Sequence, residues 1–174
     1  MTAITPAYQK ALAFTLREEG GYSDTPGDHG RATDYGVTQK TYDEWRTLKK
    51  LPLQPVKFIT QDEVTALYWD MFWIPGHCNA LPENLGAVHF DTCVNSGWPE
   101  AAKLLQRALC VPADGDIGPE TIAAANKTST TVAVTAYCHI REAFDRAIAR
   151  NDASQRKFLQ GWLNRIERLR KTFG

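Results

Sequence analysis

Apolar and polar positions alternate along this chain mostly with the period of a helix. Thr5 followed by Pro6 reads as an N-cap and first helical residue, and "AYQKALAFTLREE" continues behind them until Gly20 and Gly21 end the run. From Tyr22 to about Thr41 the periodicity gives way to Gly, Pro, Asp and Thr. Within that stretch "TDYGVT" alternates as a short strand or hairpin edge does, and it is the one good candidate for sheet. Thr60 to Glu63 forms a capping box, and the helix it opens is expected to turn Val64, Leu67, Tyr68, Met71 and Phe72 inward before Pro75 and Gly76. "ENLGAVHFDTCVNSG" predicts a third helix closed by Gly97. Pro99 opens a fourth, with Ala102, Leu105, Ala108 and Leu109 inward. "PADGDIGPET" breaks the pattern, "ETIAAAN" makes a short helix, and two long amphipathic helices follow at roughly 130–150 and 153–172. The fold class predicted is mainly α with one small β insertion.

The basic run "RTLKKLPLQPVK" at 46–57 is expected to be a solvated loop. Twenty basic and twenty acidic residues balance among 174, so no global charge draws the chain to nucleic acid or an anionic membrane. With 43% hydrophobic residues the chain suits one compact domain, read here as 1–174. The first residues lack the basic and apolar regions of a signal peptide, and no run reaches the roughly 18–20 apolar residues of a membrane span. Synthesis in the cytoplasm without stable membrane insertion is therefore expected. Cys78, Cys93, Cys110 and Cys138 form no CxxC pair and are expected to be reduced and mostly buried. His77 adjoins Cys78, and His89 and Cys93 are spaced to share a helix face. No second pair completes a four-ligand spacing, so no metal and no cofactor is expected.

The candidate chemistry lies where the first helix stops. Glu19 aligns with Tyr8, Leu12 and Leu16, and Glu18 with Ala7, Ala11 and Phe14, so both carboxylates sit at edges of the apolar face and periodicity does not choose between them. Glycosidic hydrolysis uses a protonated carboxyl as donor to the leaving oxygen and commonly a second carboxylate. Glu19 and Asp28 form such a pair, Thr33 follows where a hydroxyl can position water, and the glycines between them allow close approach of the backbone to a sugar. Tyr22 and Tyr35 offer stacking surface. Further along, Asp91 and Asn95 share a helix face and can hydrogen-bond sugar or peptide groups, and Trp98 can stack on a ring. All of these residues also have ordinary structural readings.

"EEGGYSDTPGDHGRATDYGVT" resembles the signature of glycoside hydrolase family 108, which reads EGGY, then D-x-G-x-x-T-x-x-G-[IV]-T. His29 and Arg31 depart from the family's usual proline and second glycine. "LYWDMFWIP" is similar to the family's Tyr-Trp helix, and "HFDTCVNSG" with "LLQRALCVPADGDIGPETIAA" is similar to its predicted peptidoglycan-binding segment. The resemblance implies a lysozyme-like α-helical fold with a small β-hairpin lobe, the motif region at 1–85 with its hairpin at about 22–41, and the helical region at 86–174. It implies an N-acetylmuramidase of phage endolysin type, in which Glu19 is the catalytic acid and Asp28 and Thr33 hold supporting positions. Peptidoglycan glycan strands are the implied partner. Action in the periplasm, access through a holin pore and a monomeric state are expected with them. A lytic transglycosylase and a non-catalytic wall-binding module are the competing readings.

Overall fold

The computed structural model describes residues 4–19 and 33–174. The chain divides into two compact units, residues 1–75 and 76–174. The division falls at Pro75 and Gly76, where helical structure gives way to turns.

In the first unit, α1 spans Pro6–Glu19, and the Tyr8 N–H donates to Thr5 Oγ1 at 3.2 Å, so the expected cap is in place. Two short antiparallel strands, β1 (Thr33–Asp34) and β2 (Val37–Thr38), pair Thr33 with Thr38 and Asp34 with Val37. Their two-residue connection, Tyr35 and Gly36, has φ values of 52° and 75°, the sign pattern of the tight hairpin turn that matches strand twist. The hairpin is thus confined to 33–38 among the described residues.

Helix α2 (Gln39–Leu48) begins immediately after it, where the sequence reading expects hairpin up to Thr41 and then a basic loop. Thr38 caps α2 by accepting from the Thr41 N–H at 3.2 Å. Tyr42, Trp45 and Arg46 are its buried face, which corrects the reading of residue 46 as solvated. Burying a guanidinium is unfavourable unless it is paired and hydrogen-bonded. Arg46 donates to Glu63 Oε1 at 2.6 Å and to the Tyr42 hydroxyl at 2.7 Å, and its Nε donates to the Pro52 carbonyl.

The same Glu63 closes the capping box of α3 (Gln61–Tyr68), accepting from the Thr60 N–H at 3.1 Å while its own N–H donates to Thr60 Oγ1 at 3.2 Å. Val64, Leu67 and Tyr68 are buried as expected. Met71 and Phe72 are only half-buried, and Trp69 and Trp73 take the interior instead. The cause is a π-helical turn at Trp69–Trp73, in which the Ile74 N–H donates to the Trp69 carbonyl. That wider turn rotates the face that a continuous α-helix would have buried. Tyr8 of α1 packs edge-on against both indoles, at centroid distances of 4.9 and 5.2 Å, and its hydroxyl donates to the Thr65 carbonyl at 2.6 Å. These contacts fix α1, and with it the position of Glu19.

The second unit is helical. A 3₁₀ turn at Cys78–Ala80 precedes α4 (Glu83–Ser96), α5 (Trp98–Ala108), α6 (Pro119–Lys127), α7 (Thr130–Asn151) and α8 (Leu159–Phe173). Helix α7 packs against α4, α5 and α8. Gly97, with φ at 77°, ends α4 and opens α5. Ala108 and Leu109 are half-buried, not inward, because α5 ends there and the chain turns through Cys110 at φ 56°. The turn "DGD" is organised from within: the buried Gln106 amide donates to Asp114 Oδ1 at 2.6 Å and to the Asp116 carbonyl at 2.9 Å, and accepts from the Gly115 N–H at 2.9 Å. No helix among the described residues is long and apolar enough to cross a membrane.

Candidate active site

Glu19 is the last residue of α1 and is partly exposed. The turn residue Gly36 lies directly on its side chain. A Cβ placed on Gly36 would stand 2.7 Å from Glu19 Cβ, 2.8 Å from Cγ and 3.0 Å from Oε2. The turn is in turn pinned by Tyr68 of α3, whose hydroxyl donates to the Tyr35 carbonyl at 2.9 Å. Residues 19 and 36, which open and close the acid-and-glycine motif, therefore meet in space, and α1, the hairpin and α3 each hold one side of the meeting point.

This geometry makes Gly36 hard to replace. Its φ of 75° disfavours any Cβ, by about 1–2 kcal/mol. The clash falls on Glu19 Cβ, which is fixed to the α1 backbone and cannot rotate away. Gly36→Ala is expected to lower stability by about 1–2 kcal/mol and to displace the Glu19 carboxylate. Thermal unfolding checks the first effect and turnover on peptidoglycan the second. Glu18 differs from Glu19: its side chain is 7% exposed and lies 3.8 Å from the Arg17 guanidinium.

Thr33 is placed in β1 opposite Thr38, which brings its backbone into the same hairpin. Tyr35 is half-buried at the turn. Asp28 and Tyr22 lie outside the described residues.

The remaining sequence candidates are in the second unit. Asp91 is fully buried, and its carboxylate is enclosed by two guanidiniums. Arg141 donates to Oδ2 at 2.7 Å, and Arg165 donates to Oδ1 at 2.6 Å through Nη2 and at 3.1 Å through Nε. Burial alone would push this carboxyl up, but the charges and hydrogen bonds of Arg141 and Arg165 outweigh it and hold Asp91 below the usual aspartate range. Asp91 therefore ties α4 to α7 and α8 and is not a sugar contact, which corrects the expectation for it. Asn95 uses its amide on the Asp91 carbonyl at 2.7 Å, with its side chain still lining a cavity. Trp98 is 46% exposed and remains open to stacking.

That cavity, of about 120 Å³, is lined by Asn95, Ser96, Arg141, Asp145, Ile148 and Trp162, with Phe144 beside them. Sequence reasoning missed Asp145, which is spaced like any polar residue of an amphipathic helix. It is 8% exposed, and burial pushes its carboxyl up despite the nearby Arg141 charge. A carboxyl whose folded pKa is raised penalises the folded state once ionised, so the penalty sets in as pH rises above the ordinary value of 3.8 and reaches its full size above the raised folded value. Asp145→Asn is expected to stabilise the protein at pH 7 by about 1 kcal/mol, and the gain is expected to vanish toward pH 4. Urea unfolding at the two pH values measures it.

The four cysteines are free, with Cys78, Cys93 and Cys138 buried and Cys110 exposed. Cys78, His89 and Cys93 bring one donor atom each to within 4.8 Å of one another. The sequence signal for this was the four-residue spacing of His89 and Cys93; the third member comes from a separate turn.

Two family models match the chain in succession. Residues 12–97 match the Glycosyl hydrolase 108 family and residues 100–167 match the family described as Predicted Peptidoglycan domain. The solved structure of Brucella abortus SagA is similar to this chain with a TM-score of 0.78 and 29% identity, over 95% of this chain and 92% of that one. No curated protein matches the chain. Helix α4 falls in the first family segment by sequence yet packs with the second compact unit. The chain belongs to the glycosyl hydrolase 108 family, with a predicted peptidoglycan domain behind its hydrolase segment, and is a glycoside hydrolase that degrades peptidoglycan.

Proposed function

We propose that the protein is an N-acetylmuramidase, hydrolysing the β-1,4 bond between N-acetylmuramic acid and N-acetylglucosamine, with Glu19 as the general acid. The observation that carries this reading is the contact of Gly36 with the Glu19 side chain, because it joins the two ends of the motif at one carboxylate. A proton donor at a helix end beside a glycine turn can be approached closely by a pyranose ring, since the turn presents no side chain there. Asp28 activates water or supports the positive charge of the transition state, and Thr33 holds the water or the Asp28 carboxylate. Tyr35 and Trp98 supply stacking surface and Asn95 a polar contact to the glycan or its peptide. The setting that fits this activity is lysis of a host wall by a phage endolysin, reaching the periplasm through a holin pore and acting as a monomer.

The test is mass spectrometry of the soluble fragments released from purified peptidoglycan. Fragments with reducing muramic acid ends are expected. Anhydro-muramic ends, lighter by one water, would make the enzyme a lytic transglycosylase. Wall binding without release would leave a binding module and sink the catalytic reading.

A further inference from the structure

The cluster of Cys78, His89 and Cys93 lies in the second unit and is fully buried. Its construction starts with Gly86. A Cβ there would stand 2.5 Å from the Cys78 carbonyl oxygen, so only glycine lets α4 come this close to the 3₁₀ turn. Gly86, His89 and Cys93 are spaced i, i+3 and i+7, which stacks them on one face of α4, toward Cys78.

The hydrogen bonds around His89 orient its ring. Tyr137 of α7 has one hydroxyl proton and donates it to the Ala101 carbonyl at 2.9 Å. Against His89 Nδ1, also at 2.9 Å, the same hydroxyl must accept, so Nδ1 carries a proton. Nε2 is then the atom that meets sulfur, 3.6 Å from Cys93 Sγ. A tetrahedral zinc ion with Zn–S near 2.3 Å and Zn–N near 2.0–2.1 Å separates its sulfur and nitrogen ligands by about the same 3.6 Å. A metal-bound histidine is commonly oriented by donating its far N–H to an oxygen acceptor, and the Tyr137 hydroxyl takes that place for His89.

We propose that Cys78, His89 and Cys93 form a binding site for a zinc-class ion. Two thiolates and a neutral imidazole cancel the charge of a divalent cation, which suits a site with no exposure to water. The ion is held by three protein donors and leaves one position for a small exogenous ligand. Its role is structural: it joins the turn before α4 to α4 itself and, through Tyr137, to α7. A disulfide between Cys78 and Cys93 fits the surroundings less well, because it would offer the buried Nε2 no proton and no ion. This site is independent of the glycosidase reading and its test does not use activity.

Purified protein is freed of metal, then titrated with Zn²⁺ against a competing chelator and, separately, with Co²⁺. One equivalent of tightly bound zinc is expected, and the cobalt form should show thiolate charge-transfer absorption. Tyr137→Phe should weaken zinc binding by about 10–100-fold, Cys93→Ser should abolish stoichiometric binding, and Cys110→Ser should leave it unchanged. If Cys93→Ser does not fold, the cobalt spectrum of the unaltered protein still decides. Less than a tenth of an equivalent of zinc with no cobalt band would overturn the proposal, as would an intact mass two hydrogens low with Cys78 and Cys93 bridged.

Discussion

Glu19→Gln is expected to lower hydrolysis of peptidoglycan by about 10²–10⁴-fold, the range that a positioned general acid contributes, while leaving the thermal midpoint nearly unchanged. The amide keeps the size and polarity of the carboxyl but has no proton to give at the leaving oxygen. Glu19 closes α1 with its side chain partly exposed and packed against Gly36, and the isosteric amide keeps that packing. Glu18→Gln is the informative control. Glu18 is its immediate neighbour in sequence, yet its side chain is nearly enclosed and faces the Arg17 guanidinium, so this variant should retain activity within several-fold. An active Glu19→Gln together with an inactive Glu18→Gln would move the acid one position back along α1. Full activity in both would remove the motif's carboxylates from the chemistry altogether.

The largest expected effect on stability is at Asp91. Asp91→Ala should destabilise the fold by about 3–5 kcal/mol, because it leaves Arg141 and Arg165 buried without their counter-charge. Asp91→Asn, which keeps the volume and part of the hydrogen bonding, should cost less and remain soluble enough for a denaturant titration. The pH dependence follows from the direction of the Asp91 shift. Its folded pKa lies below the ordinary 3.8, so its stabilising contribution is complete above that value and is lost as pH falls through the lower folded one. Acid unfolding below pH 4 should therefore be partly suppressed in the Asp91→Asn variant, relative to its own neutral stability. If Asp91→Ala unfolds at the same denaturant concentration as the original protein, the ion cluster carries no net stability.

The opposite sign at Asp145 makes the pair a useful contrast. Both are buried aspartates of the second unit near Arg141, but only Asp91 receives hydrogen bonds from the guanidinium. One carboxylate stabilises the fold when charged and the other opposes it, and the difference is geometric, not compositional.

Most of the helices were legible in the sequence because their signals are local. Thr5 before Pro6, the Thr60 and Glu63 box and Gly97 each act on backbone groups within four residues, so their meaning does not depend on the rest of the chain. Helix α2 was not legible, since its buried face includes Arg46, whose burial is tolerable only because Glu63, seventeen residues on, comes to meet it. Met71 and Phe72 were misplaced for a related reason: a single wide turn at Trp69–Trp73 changes which residues face inward, and the α-period has no way to announce it.

The candidate site divides along the same line. The sequence by itself determined the motif, its family and a choice of two adjacent glutamates. That Gly36 rests on Glu19 was decided by the packing of α1 on α3 and by the Tyr68 hydroxyl that holds the turn. Asp91 looked like a ligand residue beside Asn95 until Arg141 and Arg165, fifty and seventy-four residues away, closed over it. Cys78 met His89 and Cys93 because Gly86 let two backbones approach. Caps and periodic faces are set by neighbours in the chain, whereas the protonation, exposure and partners of a buried polar group are set by whatever side chains the fold brings to it from a distance.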